Sequence, residues 1–222
     1  MSLLVPDGVF VSSFGTHHPL YSFNSSNMTT VTNLDLSGCG LYDIDLQFNY
    51  RLEHLDLSDN NLYSINLDGP YSGLNKHRLG DIKIARNNLT KFGVSDNRTL
   101  VSLDLSGNKI EEMSFRDADN IRNLNLSGNL LTYIDLNYCT LLEDLDLSGN
   151  LLESVVFPEF SPEKIDLSDN NLTFTTLPQP ASFSGADYIY SPQHETAIPA
   201  KGFCVNLSSQ DVDYDGHKTI YS

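Results

Sequence analysis

Leu142-Glu143-Asp144-Leu145-Asp146-Leu147-Ser148-Gly149-Asn150-Leu151-Leu152 is the stretch on which the architecture turns. It places apolar residues first, fourth, sixth and eleventh, with an asparagine ninth. Twenty-one residues upstream, Ile121 to Leu131 has the same wording, and Leu100 to Ile110 has it again. Working outward in both directions, the register recurs from Val31, Leu52, Leu79 and Pro162, so seven segments begin 21, 27, 21, 21, 21 and 20 residues apart. Their paired apolar positions are Leu34/Leu36, Leu55/Leu57, Ile82/Ile84, Leu103/Leu105, Leu124/Leu126, Leu145/Leu147 and Ile165/Leu167. Cys39, Asn60, Asn87, Asn108, Asn129, Asn150 and Asn170 hold the ninth position. A fixed period near 21 residues means a chain wound into stacked coils, each burying its apolar face against its neighbours.

The wording L-x-x-L-x-L-x-x-N/C-x-L resembles that of the leucine-rich repeat family, and residues 31–178 carry it, Cys39 included. The physics of the pattern agrees. In x-L-x-L-x the two leucines of a short strand point to one side, into a core. An asparagine amide at the turn can both donate to and accept from the backbone of a neighbouring coil. A second apolar pair follows in most coils: Ile44/Leu46, Ile65/Leu67, Phe92/Val94, Met113/Phe115, Ile134/Leu136 and Val155/Phe157. A 21-residue coil leaves no room for a full helix there. The expected fold is therefore a curved leucine-rich repeat solenoid, with a parallel β-sheet on its concave face, short extended or 3-10 segments on its convex side, and little α-helix. Its seven coils occupy residues 31–178, residues 1–30 form an N-terminal cap, and residues 179–222 form a β-rich C-terminal cap or extension.

Composition removes whole classes of function. With 29 acidic against 13 basic residues, the formal charge is −16. Phosphate recognition rests on clustered Lys and Arg, so nucleic acid is not the expected partner. No run approaches the ~18–20 apolar residues that insertion into a membrane as a helix requires. The opening segment, Met1 to Phe10, does not read as a secretory signal, for it has neither a basic start nor a long apolar stretch. Three cysteines, widely separated, make neither a disulfide framework nor a zinc motif. No G-x-S-x-G, phosphate-binding loop or nicotinamide fingerprint occurs, and His194-Glu195 lacks the second histidine of a zinc protease because Ile198 stands there. No enzymatic activity and no cofactor are expected.

Candidate binding residues fall in three places. All three x positions of the strand are expected to face solvent on the concave side. The first and second of these supply Asp35, His54, Asp56, Asp81, Lys83, Asp104, Asp144, Asp146 and Asp166. Coils about 4.8 Å apart turn these aspartates into ladders of like charge, either a solubility device or a surface for a basic or hydroxyl-rich ligand. Lys83 and His54 interrupt the acidity and are the expected points of specificity. The long second coil adds Tyr71, Lys76, His77 and Arg78, a small basic and aromatic island. Asp211, Asp213 and Asp215 open like a calcium loop, but Ser222 stands where a bidentate glutamate is needed, and a hairpin at Asp215-Gly216 accounts for them equally well.

Thr175 to Pro178, Tyr188 to Gln193 and Val205 to Gln210 are similar to segments that follow the repeats in secreted or surface leucine-rich repeat proteins of gut and rumen bacteria. That resemblance implies an extracellular or cell-surface setting. It also implies a monomeric, non-enzymatic recognition module for a protein or glycan ligand. A structural spacer that displays another domain, or a cytoplasmic effector that regulates a host protein, is the alternative.

Overall fold

The computed structural model describes residues 22–24, 29–46, 49–67, 78–95, 97–116, 119–157, 162–173, 176–178 and 187–194. Each repeat contributes one three-residue strand to a large parallel sheet: β2 (Asn33–Asp35), β4 (His54–Asp56), β5 (Asp81–Lys83), β7 (Ser102–Asp104), β9 (Asn123–Asn125), β11 (Asp144–Asp146) and β13 (Lys164–Asp166). Their order in the sheet is their order in the chain, and every pairing is in register, residue for residue. The central residue of each strand is buried, and so is the aliphatic residue just after it. Alternation therefore does what the pattern requires, with one row of side chains inward and the flanking positions outward.

A second set of short strands closes the far side of the coils. These are β1 (Ser22–Asn24) beside β3 (Asp43–Asp45), β6 (Lys91–Ser95) beside β8 (Glu112–Arg116), and β10 (Tyr133–Asp135) beside β12 (Ser154–Val156). All three pairs are parallel. The second apolar pair of most coils lies on this side, Ile65 and Leu67 outside any strand. Ile44, Leu46, Phe92, Phe115, Ile134 and Leu136 are buried, whereas Ile65, Leu67, Met113, Val155 and Phe157 are only partly so. The extended option for these segments is the one realised, and no helix occurs among the described residues.

Between the two sides lies the asparagine turn, whose bonding is the same in the six coils that carry asparagine; the first has Cys39, whose Sγ lies 3.6 Å from Ser37 O. The Asn129 amide donates to the carbonyls of Leu126 (2.9 Å) in its own coil and Leu105 (3.0 Å) in the previous one. Its oxygen accepts from the N–H of Ile110, also in the previous coil, at 3.0 Å. Asn60, Asn87, Asn108, Asn150 and Asn170 repeat this, each with its amide on the preceding coil at 2.8–2.9 Å. All six are buried. Just before Cys39 and each ladder asparagine the backbone enters the left-handed region, with φ of 63° to 65° at Gly38, Gly107, Gly128 and Gly149. Asp59, Arg86 and Asp169 take the same conformation without being glycine.

The sheet does not stop at the seventh repeat. An eighth strand, β14 (Asp187–Ile189), pairs in parallel with β13, setting Tyr188 opposite Ile165. Five residues after Tyr188, Gln193 takes the place of asparagine: its oxygen accepts from the N–H of Leu172 at 3.0 Å, and its amide donates to Leu167 O at 2.8 Å. Tyr188-Ile189-Tyr190-Ser191-Pro192-Gln193 is thus an eighth turn written in different residues, within the segment expected to be β-rich. Tyrosine fills the leucine positions, and the longer glutamine amide reaches the same backbone groups.

Removing one ladder amide strands a buried donor and halves the bonding of two carbonyls. In Asn129→Ala the Ile110 N–H loses its partner, while Leu105 O keeps the Asn108 amide and Leu126 O keeps the Asn150 amide. At ~1–3 kcal/mol for an unsatisfied buried group, the variant is expected to lose that much in chemical denaturation. Asn129→Asp is expected to fare no better, because it keeps the acceptor but loses both donors.

Candidate functional site

The outward positions of the large sheet form two continuous rows. The first runs Asn33, His54, Asp81, Ser102, Asn123, Asp144, Lys164 and Asp187; the second runs Asp35, Asp56, Lys83, Asp104, Asn125, Asp146, Asp166 and Ile189. All nine expected sheet residues fall in these rows. Over the first three coils the surface sinks into a depression of about 100 Å³ with Leu34 and Leu55 in its lining. Asp35, His54, Asp56, Asp81 and Lys83 line it as well, so five of the nine converge there. His54 Nδ1 is 3.8 Å from the Asp81 carboxylate.

The second-row aspartates are only half-exposed, and each has a local task. One carboxylate oxygen of Asp35, Asp56, Asp104, Asp146 and Asp166 accepts from the backbone N–H two residues on, at 2.9–3.0 Å. This is the side-chain-to-backbone turn that aspartate favours, and it bends the chain off the sheet toward the asparagine turn. Asn125 serves the same purpose without charge, accepting from the N–H of Ser127 at 3.0 Å. The third x position, expected to face solvent, does not do so freely. Ser58, Ala85 and Ser168 are buried and Ser37, Ser106, Ser127 and Ser148 half-buried, because the turn curls this position inward. The hydroxyls of Ser148 and Ser168 donate to Asp146 and Asp166 at 2.6 Å.

One residue of the third coil escaped the sequence reading. Arg86 occupies the left-handed turn position with φ 53° and grips Asp59 of the previous coil through two bonds of 2.5 and 2.6 Å. That bidentate contact holds the Asp59 carboxyl below the usual carboxylate range, and Asp56 and Asp104 also favour the charged Arg86. The available signal was Arg86 itself, standing where Gly107, Gly128 and Gly149 stand in later repeats.

Among the remaining candidates, the described Arg78 does not line the depression. Arg78 is exposed, while Tyr71, Lys76 and His77 lie outside the described residues, as do Asp211, Asp213 and Asp215. No group of three His, Cys, Asp or Glu suited to a metal occurs among the described residues. No helix among them is long and apolar enough to cross a membrane. Cys39 and Cys139 are buried thiols. Burial, aided by the charge of Asp135, pushes the Cys139 thiol up to about 12, which leaves it un-ionised and unreactive at neutral pH.

Comparison with known proteins gives the same architecture. Residues 96–111 and 51–72 match two family profiles, both described as leucine-rich repeat. Among solved structures, the functional domain of InlJ from Listeria monocytogenes, described as including a cysteine ladder, is similar at 20% identity and TM-score 0.59. That match covers 76% of this chain and 40% of InlJ. A leucine-rich repeat protein of Leptospira interrogans is similar at 16% identity and TM-score 0.54, over 76% of this chain and 50% of its own. The chain thus spans half or less of each structure. None of the curated proteins matches it. At such identities the likeness establishes the fold, that of a leucine-rich repeat solenoid. Repeats of this kind typically form protein-interaction modules, generally without catalytic activity.

Two outcomes follow from the turn chemistry and the thiol burial. Asp146→Ala is expected to cost ~1 kcal/mol through the lost bond to the Ser148 N–H, while Asp146→Asn, copying Asn125, stays within ~0.5 kcal/mol of the parent in denaturant titrations. Peptides containing Cys39 and Cys139 should resist alkylation in the folded chain and label fully in denaturant, as read by mass spectrometry.

Proposed function

We propose that this chain is a non-enzymatic recognition module that presents its large sheet to a protein or glycan ligand. The observation that carries the reading is the sheet's outward face. Two rows of polar and charged side chains sit in strict register on a backbone cross-braced by buried amides, and five of them converge on one depression. Binding at such a face loses little to reorganisation, because the backbone is already set. The module works as a monomer, at a bacterial surface or in the surrounding medium. The C-terminal wording from Thr175 to Gln210 supports that setting, as does likeness in fold to proteins of Listeria and Leptospira.

A structural spacer is the second reading, favoured by one specific observation. Every second-row aspartate already has a structural task in its turn, so the acidity of the face needs no ligand to explain it. The two readings separate under a substitution that removes charge and keeps the turn. Asp56→Asn/Asp104→Asn/Asp146→Asn leaves an acceptor at each position, as Asn125 does, so folding is preserved. Binding of the purified chain to panels of host proteins and plant or mucosal glycans is expected to yield a ligand whose affinity drops at least ~10-fold in this variant, at ~0.5 kcal/mol or more per lost contact. A chain that captures nothing from either panel is the spacer.

A further inference from the structure

The third coil departs from the repeat's wording at three of four consecutive positions, one outward, one buried and one in the left-handed turn. Where the fourth and sixth coils read Asp-Leu-Ser-Gly, the third reads Lys83-Ile84-Ala85-Arg86. Each change gives up something the fold uses. Lys83 cannot accept the turn hydrogen bond that aspartate accepts elsewhere, Ala85 has no hydroxyl, and Arg86 holds a left-handed backbone that favours glycine. What the coil gains is two positive charges, Lys83 lining the depression and Arg86 paired with Asp59. The Lys83 ammonium has no ion-pair or hydrogen-bond partner among the described residues, although Asp56 and Asp104 flank it in register. Departures from local consistency, grouped in space, mark functional positions.

The rest of the face states what the ligand must carry. Eight aspartates occupy outward strand positions of the large sheet, against two lysines. In Asp35, Asp56 and Asp104 the turn takes one carboxylate oxygen, and the other accepts no hydrogen bond among the described residues. Acceptors therefore dominate and donors are scarce, which suits ammonium and guanidinium groups. Sugar rings are commonly gripped by stacking on an aromatic face. The exposed Tyr42, Tyr63, Tyr133 and Tyr138 all lie off the large sheet, and no outward position on its described strands is Phe, Tyr or Trp.

We propose that the ligand is a cationic polypeptide lying across the large sheet, its basic side chains on Asp35, Asp56 and Asp104 and one of its carboxylates on Lys83. Along the second row the charges read minus, minus, plus, minus at strand spacings of about 4.8 Å. An all-acidic row would let a basic segment slide by one coil. The Lys83 ammonium breaks that degeneracy and sets the register, while a basic side chain enters the depression bounded by Asp35, Asp56 and Asp81. The inference rests on the large sheet being the ligand-binding face, and it narrows the class of ligand taken there.

The test uses the full chain and three probes measured by calorimetry. They are a short peptide of alternating lysine and serine, the same peptide with one central lysine replaced by glutamate, and a neutral oligosaccharide. Both peptides are expected to bind, more weakly as salt rises from about 20 to about 150 mM, and Asp56→Asn/Asp104→Asn weakens both. Lys83→Gln is expected to tighten the all-lysine peptide and weaken the glutamate peptide, each by about 2–5-fold, the range of an exposed ion pair. Lys164→Gln, with the same change in net charge on the same sheet, should move the two peptides together. If Lys83→Gln also moves them together, Lys83 reads no carboxylate and the inference is overturned. An oligosaccharide bound in place of the peptides overturns the ligand class yet leaves the sheet as a binding face. Failure of every probe sinks the ligand class. A spacer reading then requires that the host-protein and glycan panels also come up empty.

Discussion

A buried asparagine amide that serves two coils at once is the constraint from which the rest of the structure follows. A 21-residue coil without helix has few ways to satisfy its own turn, where the backbone leaves one sheet and has not yet reached the other. Nδ2 of each ladder asparagine meets carbonyls of its own coil and of the preceding one, and Oδ1 meets an N–H of the preceding one. An unpartnered backbone group in that interior would cost ~1–3 kcal/mol, comparable to burying a leucine. One side chain removes that cost at an N–H, shares two carbonyls with the asparagines of the adjoining coils, and so fixes the offset between neighbours. Register in both sheets is a consequence: once the turns are pinned to one another, Leu103, Leu124 and Leu145 can only stack.

The same economy explains why the acidity of the large sheet is harder to interpret than it looks. Aspartate is placed in the second row by its ability to bond the backbone two residues ahead, and the charge comes with it. Asn125 shows that the turn needs the oxygen and not the charge. Function must then be sought where the structural reason is absent. The third coil is that place: Lys83 does nothing for its turn, and Arg86 sits in a conformation costing roughly 1–2 kcal/mol for a residue with a Cβ. The Arg86–Asp59 pair repays little of this, because both partners are exposed and such pairs contribute ~0–1 kcal/mol.

Legibility in the sequence followed the strictness of each physical requirement. Leucine pairs and ladder asparagines tolerate few substitutes, so seven coils, the strand side and the lack of room for a helix opposite it could be read from spacing alone, while the choice between extended and 3-10 segments on that far side could not. The eighth turn was not read as a repeat, because its requirement is met by chemical equivalents. Tyr188 and Tyr190 replace aliphatic side chains, their rings 5.4 Å apart, and Gln193 replaces asparagine with one more methylene. Spacing also identified the outward rows, including His54 and Lys83. It could not show that the aspartates are caps, since a local bond between side chain and backbone leaves no periodic trace. Nor could it show that the third x position turns inward, because serine suits a surface and a half-buried turn alike. Arg86 was visible only as a departure from glycine, which acquires meaning once the left-handed turn is known.

A solenoid of this type separates the cost of folding from the choice of ligand. The inward leucines, the asparagines and the turn aspartates recur because each coil must solve the same problem as the last. The first outward row has no such duty: Asn33, His54, Asp81, Ser102, Asn123, Asp144 and Lys164 differ from coil to coil, while the backbone beneath them does not. Variation is therefore inexpensive in that row and expensive at Lys83, Ala85 and Arg86, where it displaces groups the turn uses. Positions of the first kind can drift without consequence for the fold. Positions of the second kind need a compensating reason, and for a face so largely acidic that reason is a ligand able to distinguish one coil from the next.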